Sequence, residues 1–235
     1  MREDKQTRLE QFKVAKKKMD DDDIEYFEED LRKVGKIENW VMEIAGVLVH
    51  VYRGAVSQSF IEALLPHFAV TLSNFNGKKD YEIRKISLLI IYVVNAVCFF
   101  CDVVESGGND IFGLTASKAA EKFLECIKAF PEDRGLIQSA GYGLGSIAIR
   151  IPRGSFTHLP QTLQTFKGLL DDPTCRTDEE KAESTDNIIG ALGKCMLFHY
   201  DGQLLTLPAV KEYLSLLPLY TDSEEAQSVH KLLFE

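Results

Sequence analysis

The side chains able to do chemistry are present but scattered. The five histidines, His50, His67, His158, His199 and His230, fall in five different helical stretches or at their edges. No His-Glu-x-x-His or Gly-x-Ser-x-Gly occurs, and no Ser or Cys nucleophile pairs with a His and an acid at a recognisable spacing. Cys98-Phe99-Phe100-Cys101 has the spacing of zinc knuckles and redox dithiols. A zinc site needs a second pair of ligands, and the chain offers none at suitable spacing. A redox dithiol needs a strand and a flexible turn before it, whereas this pair lies inside a continuous apolar run, so core cysteines are the favoured reading. Gly141-Tyr142-Gly143-Leu144-Gly145 superficially looks like a phosphate loop, but such a loop follows a strand and opens a helix. Here Ser139, Ala140 and Ser146 extend a small-residue face within a helix, which points to close packing by a neighbour. The expected activity is non-enzymatic, with no cofactor and no metal.

Charge is unevenly distributed. The chain carries 27 basic and 36 acidic residues, a net −9, and a pI near 5.2. Free nucleic acid is an unfavourable partner for such a chain, because binding it requires a basic face that displaces counterions. The first 19 residues are net +4, the next 11 (DDDDIEYFEED) net −8, and residues 171–186 net −5. Asp20, Asp21, Asp22 and Asp23 suit a solvated helix start, where carboxylates meet the positive end of the dipole. The same run also suits an acidic patch that attracts a basic partner segment.

The elements that must position these residues are helices. The 235 residues are 45% hydrophobic and 27% charged, a globular balance that excludes a wholly disordered chain. No sustained apolar–polar alternation occurs, while helical spacing recurs. Phe60, Leu64, Phe68 and Leu72 step by four, and Leu159, Leu163, Phe166 and Leu170 step by four, three and four. Ile188, Leu192, Cys195 and His199 follow the same rhythm. The apolar stretch 86–104 is long enough for a membrane span, but Ser87, Asn95 and Asp102 interrupt it. A helix buried on nearly all sides is the preferred reading, without membrane insertion. The amino-terminal stretch has no apolar core, so no secretory signal is expected. Five cysteines, an odd number, at uneven positions suggest free thiols in a reducing compartment.

Helix starts can be read from capping chemistry. Thr177 to Glu180 and Thr221 to Glu224 each read as a capping box, and Pro131 with Glu132 and Asp133 reads as a proline-led first turn. Ser57 and Thr115 are weaker N-cap candidates. A period also emerges: Leu144-Gly145 recurs as Leu192-Gly193, and Leu159-Pro160 as Leu207-Pro208, both 48 residues on. That offset is just above the roughly 40–47 residues of HEAT or armadillo units. The expected fold is all-α, an armadillo-like α-α superhelix of about four helix pairs plus a partial fifth. Its repeats are expected at 20–73, 80–129, 131–170, 177–217 and 222–235, preceded by a charged helix over 1–19. The second helices of these pairs are expected over 57–73, 116–129, 155–170 and 208–217. The unpaired last helix reads as the cut edge of a longer chain, with Val229, Leu232, Leu233 and Phe234 exposed and able to join another copy.

Three segments carry a family resemblance. PEDRGLIQSAGYGLGSIA (131–148), ESTDNIIGALGKCMLF (183–198) and LPAVKEYLSLLPLYTDSEEAQSVHKLLFE (207–235) resemble the C-terminal HEAT repeats of the importin beta superfamily. The likeness is greatest to its importin-five, or karyopherin-beta-three, branch. DKQTRLEQFKVAKK followed by DDDD and a long helix is similar to the same region. The apolar helix near 86–101 departs from the family pattern.

The resemblance implies a nuclear transport receptor that shuttles between cytoplasm and nucleus. Such receptors bind import cargo proteins on the concave face and FG nucleoporins on the convex face, and they respond to the Ran GTPase. The primary Ran-binding repeats of the family lie N-terminal to this region, which implies weak Ran binding by this chain alone. In the family the second helix of each pair lines the inner face. On that mapping Glu62, His67, Lys118, Glu121, Lys122, Glu125, Gln161, Gln164, Lys167, Lys211 and Glu212 face a partner, with Asp20 to Asp23 as the acidic patch. FG contacts would use shallow apolar pockets between adjacent first helices. A generic HEAT scaffold subunit of another complex is the alternative, sharing the fold and differing in partners.

Overall fold

The computed structural model describes residues 111–199 and 206–234, with helical positions at 26, 29, 33, 37, 40, 41, 44–48, 51, 52, 59, 60, 62–64 and 66. The helices in the continuous part are α1 (Ile111–Ala129), α2 (Arg134–Arg150), α3 (Leu159–Leu170), α4 (Glu179–His199), α5 (Leu207–Ser215) and α6 (Ser223–Leu232). No strand occurs among the described residues, and the all-α expectation holds there. Asp20 to Asp23, His67, Ser57, Cys98, Cys101 and the 86–104 stretch lie outside the described residues. Among the described residues no helix is long and apolar enough to cross a membrane.

The starts of three helices share one device. Asp133 accepts the Leu136 N–H at 2.8 Å ahead of α2. Asp178 accepts the Glu180 N–H at 2.9 Å ahead of α4. Asp222 accepts those of Glu224 and Glu225, at 3.1 and 2.9 Å, ahead of α6. Each cap therefore sits one or two residues beyond the starts expected at Thr177, Thr221 and Pro131. The physical reason is that an aspartate carboxylate is a charged acceptor at the positive end of the helix dipole, and it outcompetes the neighbouring hydroxyl. Thr115 lies inside α1, which opens earlier, at Ile111. Helix α3 opens at Leu159 rather than at 155, and both α3 and α5 carry a proline in the first turn, Pro160 and Pro208. The cap spacings, 133 to 178 to 222, are 45 and 44 residues.

Packing arranges these helices in order. Helix α2 lies against α4 and α4 against α6, while α1 packs on α2 and on α3, and α3 on α4. The main core joins Phe123, Leu124 and Ile127 of α1, Leu136, Ile137, Leu144 and Ile147 of α2, Phe166 of α3, and Ile188 and Cys195 of α4. Ala45 is part of this cluster, and Phe60 and Leu64 pack against it. A second cluster of Ile189, Met196, Tyr213, Leu219 and Val229 ties α4 to α5 and α6. Val229, expected at an exposed edge, is instead 2% exposed, because its place on α6 turns it onto α4. Leu232 is half-buried, and Leu233 and Phe234 are exposed.

The small-residue face of α2 is a packing surface. A methyl group added at Gly141 would sit 2.5 Å from Ile188 Cδ1, and one at Gly145 2.9 Å from Ala191 Cα. Either would drive into α4, so these glycines set the α2–α4 separation. On α4, Gly190 meets the Glu225 side chain and Gly193 the Tyr213 hydroxyl in the same way.

Candidate functional site

The expected partner-facing residues lie on three helices. Lys118, Glu121, Lys122 and Glu125 occupy α1 at spacings of three and four, which places them on one helical face. Lys118, Glu121 and Glu125 are exposed and Lys122 is half-buried. Lys122 donates to Glu125 at 2.6 Å, and that bond, ahead of nearby carboxylates, raises the lysine above its ordinary pKa. Gln161, Gln164 and Lys167 form the corresponding exposed stripe on α3, and Lys211 and Glu212 are exposed on α5. Glu62 is exposed as well. Helices α1 and α3 make only a small contact, and none as large joins α3 to α5. Each of α1, α3 and α5 therefore presents its own exposed polar residues, of mixed charge on α1.

Three acids of the stretch 171–186, Asp172, Asp178 and Asp186, are engaged by the chain itself. Asp172 accepts from Lys181 Nζ at 2.8 Å and from the Thr174 backbone and hydroxyl at 2.9 and 2.8 Å. These bonds, the lysine first, hold its carboxyl well below the usual carboxylate range. Asp178 caps α4. Asp186, with 3% of its side chain exposed, accepts the backbone N–H groups of Tyr220, Thr221 and Asp222 at 3.0, 2.7 and 3.1 Å on one oxygen. Arg176 stands 3.9 Å from its other oxygen and donates to the Leu216 and Pro218 carbonyls at 2.6 and 2.8 Å. The Arg176 guanidinium also stacks over Tyr220, 5.0 Å from the ring centre.

A polar seam continues along α4. Asn187 donates to Asp222 at 2.8 Å, and Lys194 to Glu225 at 2.7 Å with both side chains almost fully buried. The Lys194 ammonium lies 5.1 Å from the Tyr142 ring centre. His199 pairs its Nε2 with the Ala148 carbonyl at 2.6 Å and packs its ring on Phe156. Sequence reasoning missed this seam, although one signal was present: Asp186, Asn187 and Lys194 flank and interrupt the apolar run of Ile188, Ile189, Ala191, Leu192, Cys195 and Met196. Burial raises the Cys126 and Cys195 thiols to about 12, leaving both without a thiolate at neutral pH. Among the described residues no group of three or more His, Cys, Asp or Glu is arranged to hold a metal ion.

A different kind of surface lies on the amino-terminal part. Trp40, Ile44, Val47 and Leu48 line one open pocket, and Ile37, Val41, Val51 and Tyr52 extend the exposed apolar stripe at helical spacing. No model of a known protein family and no curated protein sequence matches this chain.

Proposed function

We propose that the chain is built of HEAT-type repeats and serves as part of an importin beta-type nuclear transport receptor. In this role it shuttles between cytoplasm and nucleus and contacts import cargo, FG nucleoporins and, within the full-length receptor, the Ran GTPase. The observation that carries the reading is one plan used three times. An aspartate-capped helix opens at intervals of 45 and 44 residues, and the successive capped helices α2, α4 and α6 stack side by side. Stacked pairs that contact only their neighbours give a long surface for protein partners. Catalysis has no part in this function.

The partner-facing set is Asp20 to Asp23, Glu62, His67, Glu121, Glu125, Gln161, Gln164, Lys211 and Glu212. FG contact falls to the apolar pocket of Trp40, Ile44, Val47 and Leu48, since a phenylalanine ring fits an apolar slot whose walls are already exposed. Trp40 is the single tryptophan of the chain, so its fluorescence reports directly on that pocket. Titration with an FG-repeat peptide should shift its emission to shorter wavelength, and a Ser-Gly peptide should not. Identical responses to both peptides would rule out the pocket assignment. Retention of the full-length receptor on GTP-loaded Ran supports the transport role. Failure of retention at low salt favours a HEAT scaffold of another complex.

A further inference from the structure

The stack contains two unlike interfaces. Between α2 and α4 the contact is broad and mostly apolar: Gly141 and Gly145 admit Ile188 and Ala191 to backbone distance, ten residues of α2 are buried, and polar contacts, Gln138 to Glu183 and His199 to the Ala148 carbonyl, lie toward its ends. Between α4 and α6 the contact is narrower and mixes apolar with polar groups. Helix α6 buries only Glu225 and Val229, and its extensive packing among the described helices is with α4 alone. What attaches it, beside Val229 and Ala226 in the second apolar cluster, is the Lys194–Glu225 pair, the Asn187–Asp222 bond and the three backbone N–H groups received by Asp186. The polar groups exchange protein partners for water at small net gain, whereas a broad apolar contact has no such substitute. Segments with few buried apolar contacts open locally before the rest of the fold.

We propose that α6, with the turn 219–222 ahead of it, is a detachable arm that opens from α4 as one unit while α1 to α4 stay folded. Asp186 is the latch that sets this equilibrium. It is well suited to the part, because one carboxylate oxygen gathers three consecutive N–H groups at the point where the chain enters α6. Opening uncovers Ile189, Gly190 and Lys194 of α4, the strip that Glu225 and Val229 otherwise cover.

Amide hydrogen exchange on the whole chain at neutral pH tests the proposal. Residues 226–232 should exchange together, at least tenfold faster than residues 140–148 and with a weaker dependence on urea. Asp186→Ala should accelerate 226–232 by a further tenfold or more and leave 140–148 within twofold. If that variant fails to fold, Asn187→Ala, which removes the bond to Asp222 along with one to the Glu183 carbonyl inside α4, should accelerate 226–232 by a few-fold. Equal protection of the two segments in the unaltered chain would overturn the proposal. So would equal acceleration of both by either variant. A gradient that spares Ala226 and rises toward Leu232 would also overturn it, because that pattern is fraying from the helix end.

Discussion

An alanine at position 145 probes the contact on which the α2–α4 stack depends. The added methyl group would sit 2.9 Å from Ala191 Cα, 3.0 Å from its Cβ and 3.1 Å from Lys194 Cδ. Carbon atoms prefer about 3.5–4.0 Å, so α4 has to retreat by roughly half an ångström to one ångström. It cannot do so freely, since Ile188 and Cys195 on the same helix are locked into the main core. Overpacking of this kind costs about 1–3 kcal/mol. Against it stands the gain from replacing a mid-helix glycine, about 1 kcal/mol. The net expectation is a change between about zero and 2 kcal/mol destabilising. Gly168→Ala on α3 supplies the reference, because nothing lies within 4 Å of its added methyl. It should stabilise by about 0.5–1 kcal/mol, so the difference between the two variants isolates packing. Urea unfolding followed by circular dichroism, with unchanged slope, reads that difference. If Gly145→Ala stabilises the protein as much as Gly168→Ala does, the close approach of α2 and α4 does not exist and the stacking argument fails with it.

The same measurement bears on three further expectations. Lys194→Met removes the buried ammonium that faces the Glu225 carboxylate and should cost about 3–5 kcal/mol, while Lys194→Met/Glu225→Leu should recover most of that loss; a double variant no better than the single one would mean the pair is not buried together. Phe166→Ala, at a fully buried position between α1, α2 and α4, should cost about 3–5 kcal/mol, and a loss below about 1 kcal/mol would place that ring at the surface. Burial raises Cys126 and Cys195 from 9.0, and Tyr213 from 10.0, each to about 12. The neutral forms are favoured in the fold, so their stabilisation is complete below about pH 9 and drains away as the pH rises toward about 12. The urea midpoint should therefore fall between about pH 8 and pH 11, and fall less in Cys195→Ala; an equal fall in both chains would discount the buried thiol.

Helix existence was legible because apolar spacing is a property of single elements. Ile188 and Cys195, four and three residues either side of Leu192, became core positions, and Phe166 was found in the rhythm of α3. The glycine-rich stretch 141–145 was legible too, since small residues inside a helix have few uses besides close approach. Helix starts were read one or two residues early for a local reason: Thr177 and Thr221 each precede an aspartate, and the stronger acceptor caps. The polar seam was not legible, because nothing in the sequence shows that Lys194 and Glu225, 31 residues apart, meet out of water. Burial of Val229 was missed on the same ground. Its exposure was inferred from its position near the end of the sequence, whereas its burial depends on how α6 lies on α4.

The seam also changes what the acidic charge can do for a partner. Residues 171–186 carry seven acids against two bases, which by count alone suggests a patch attractive to basic segments. Asp172, Asp178 and Asp186 are already committed to Lys181, the α4 amides and the 220–222 backbone. A carboxylate that accepts such bonds offers little field to an incoming cation, because its charge is met by donors already in place. What remains outward is Asp171, Glu179, Glu180 and Glu183, all exposed, around the start of α4, where the helix dipole offsets part of their charge. The α1 and α3 stripes, by comparison, alternate Lys118, Lys122 and Lys167 with Glu121 and Glu125. A surface of that composition selects by the pattern of opposite charges and hydrogen bonds rather than by bulk attraction. Partner binding through α1 and α3 should accordingly depend on salt less steeply than binding through the Asp20 to Asp23 run, and charge reversal at Glu121 should weaken one partner while leaving the stack intact.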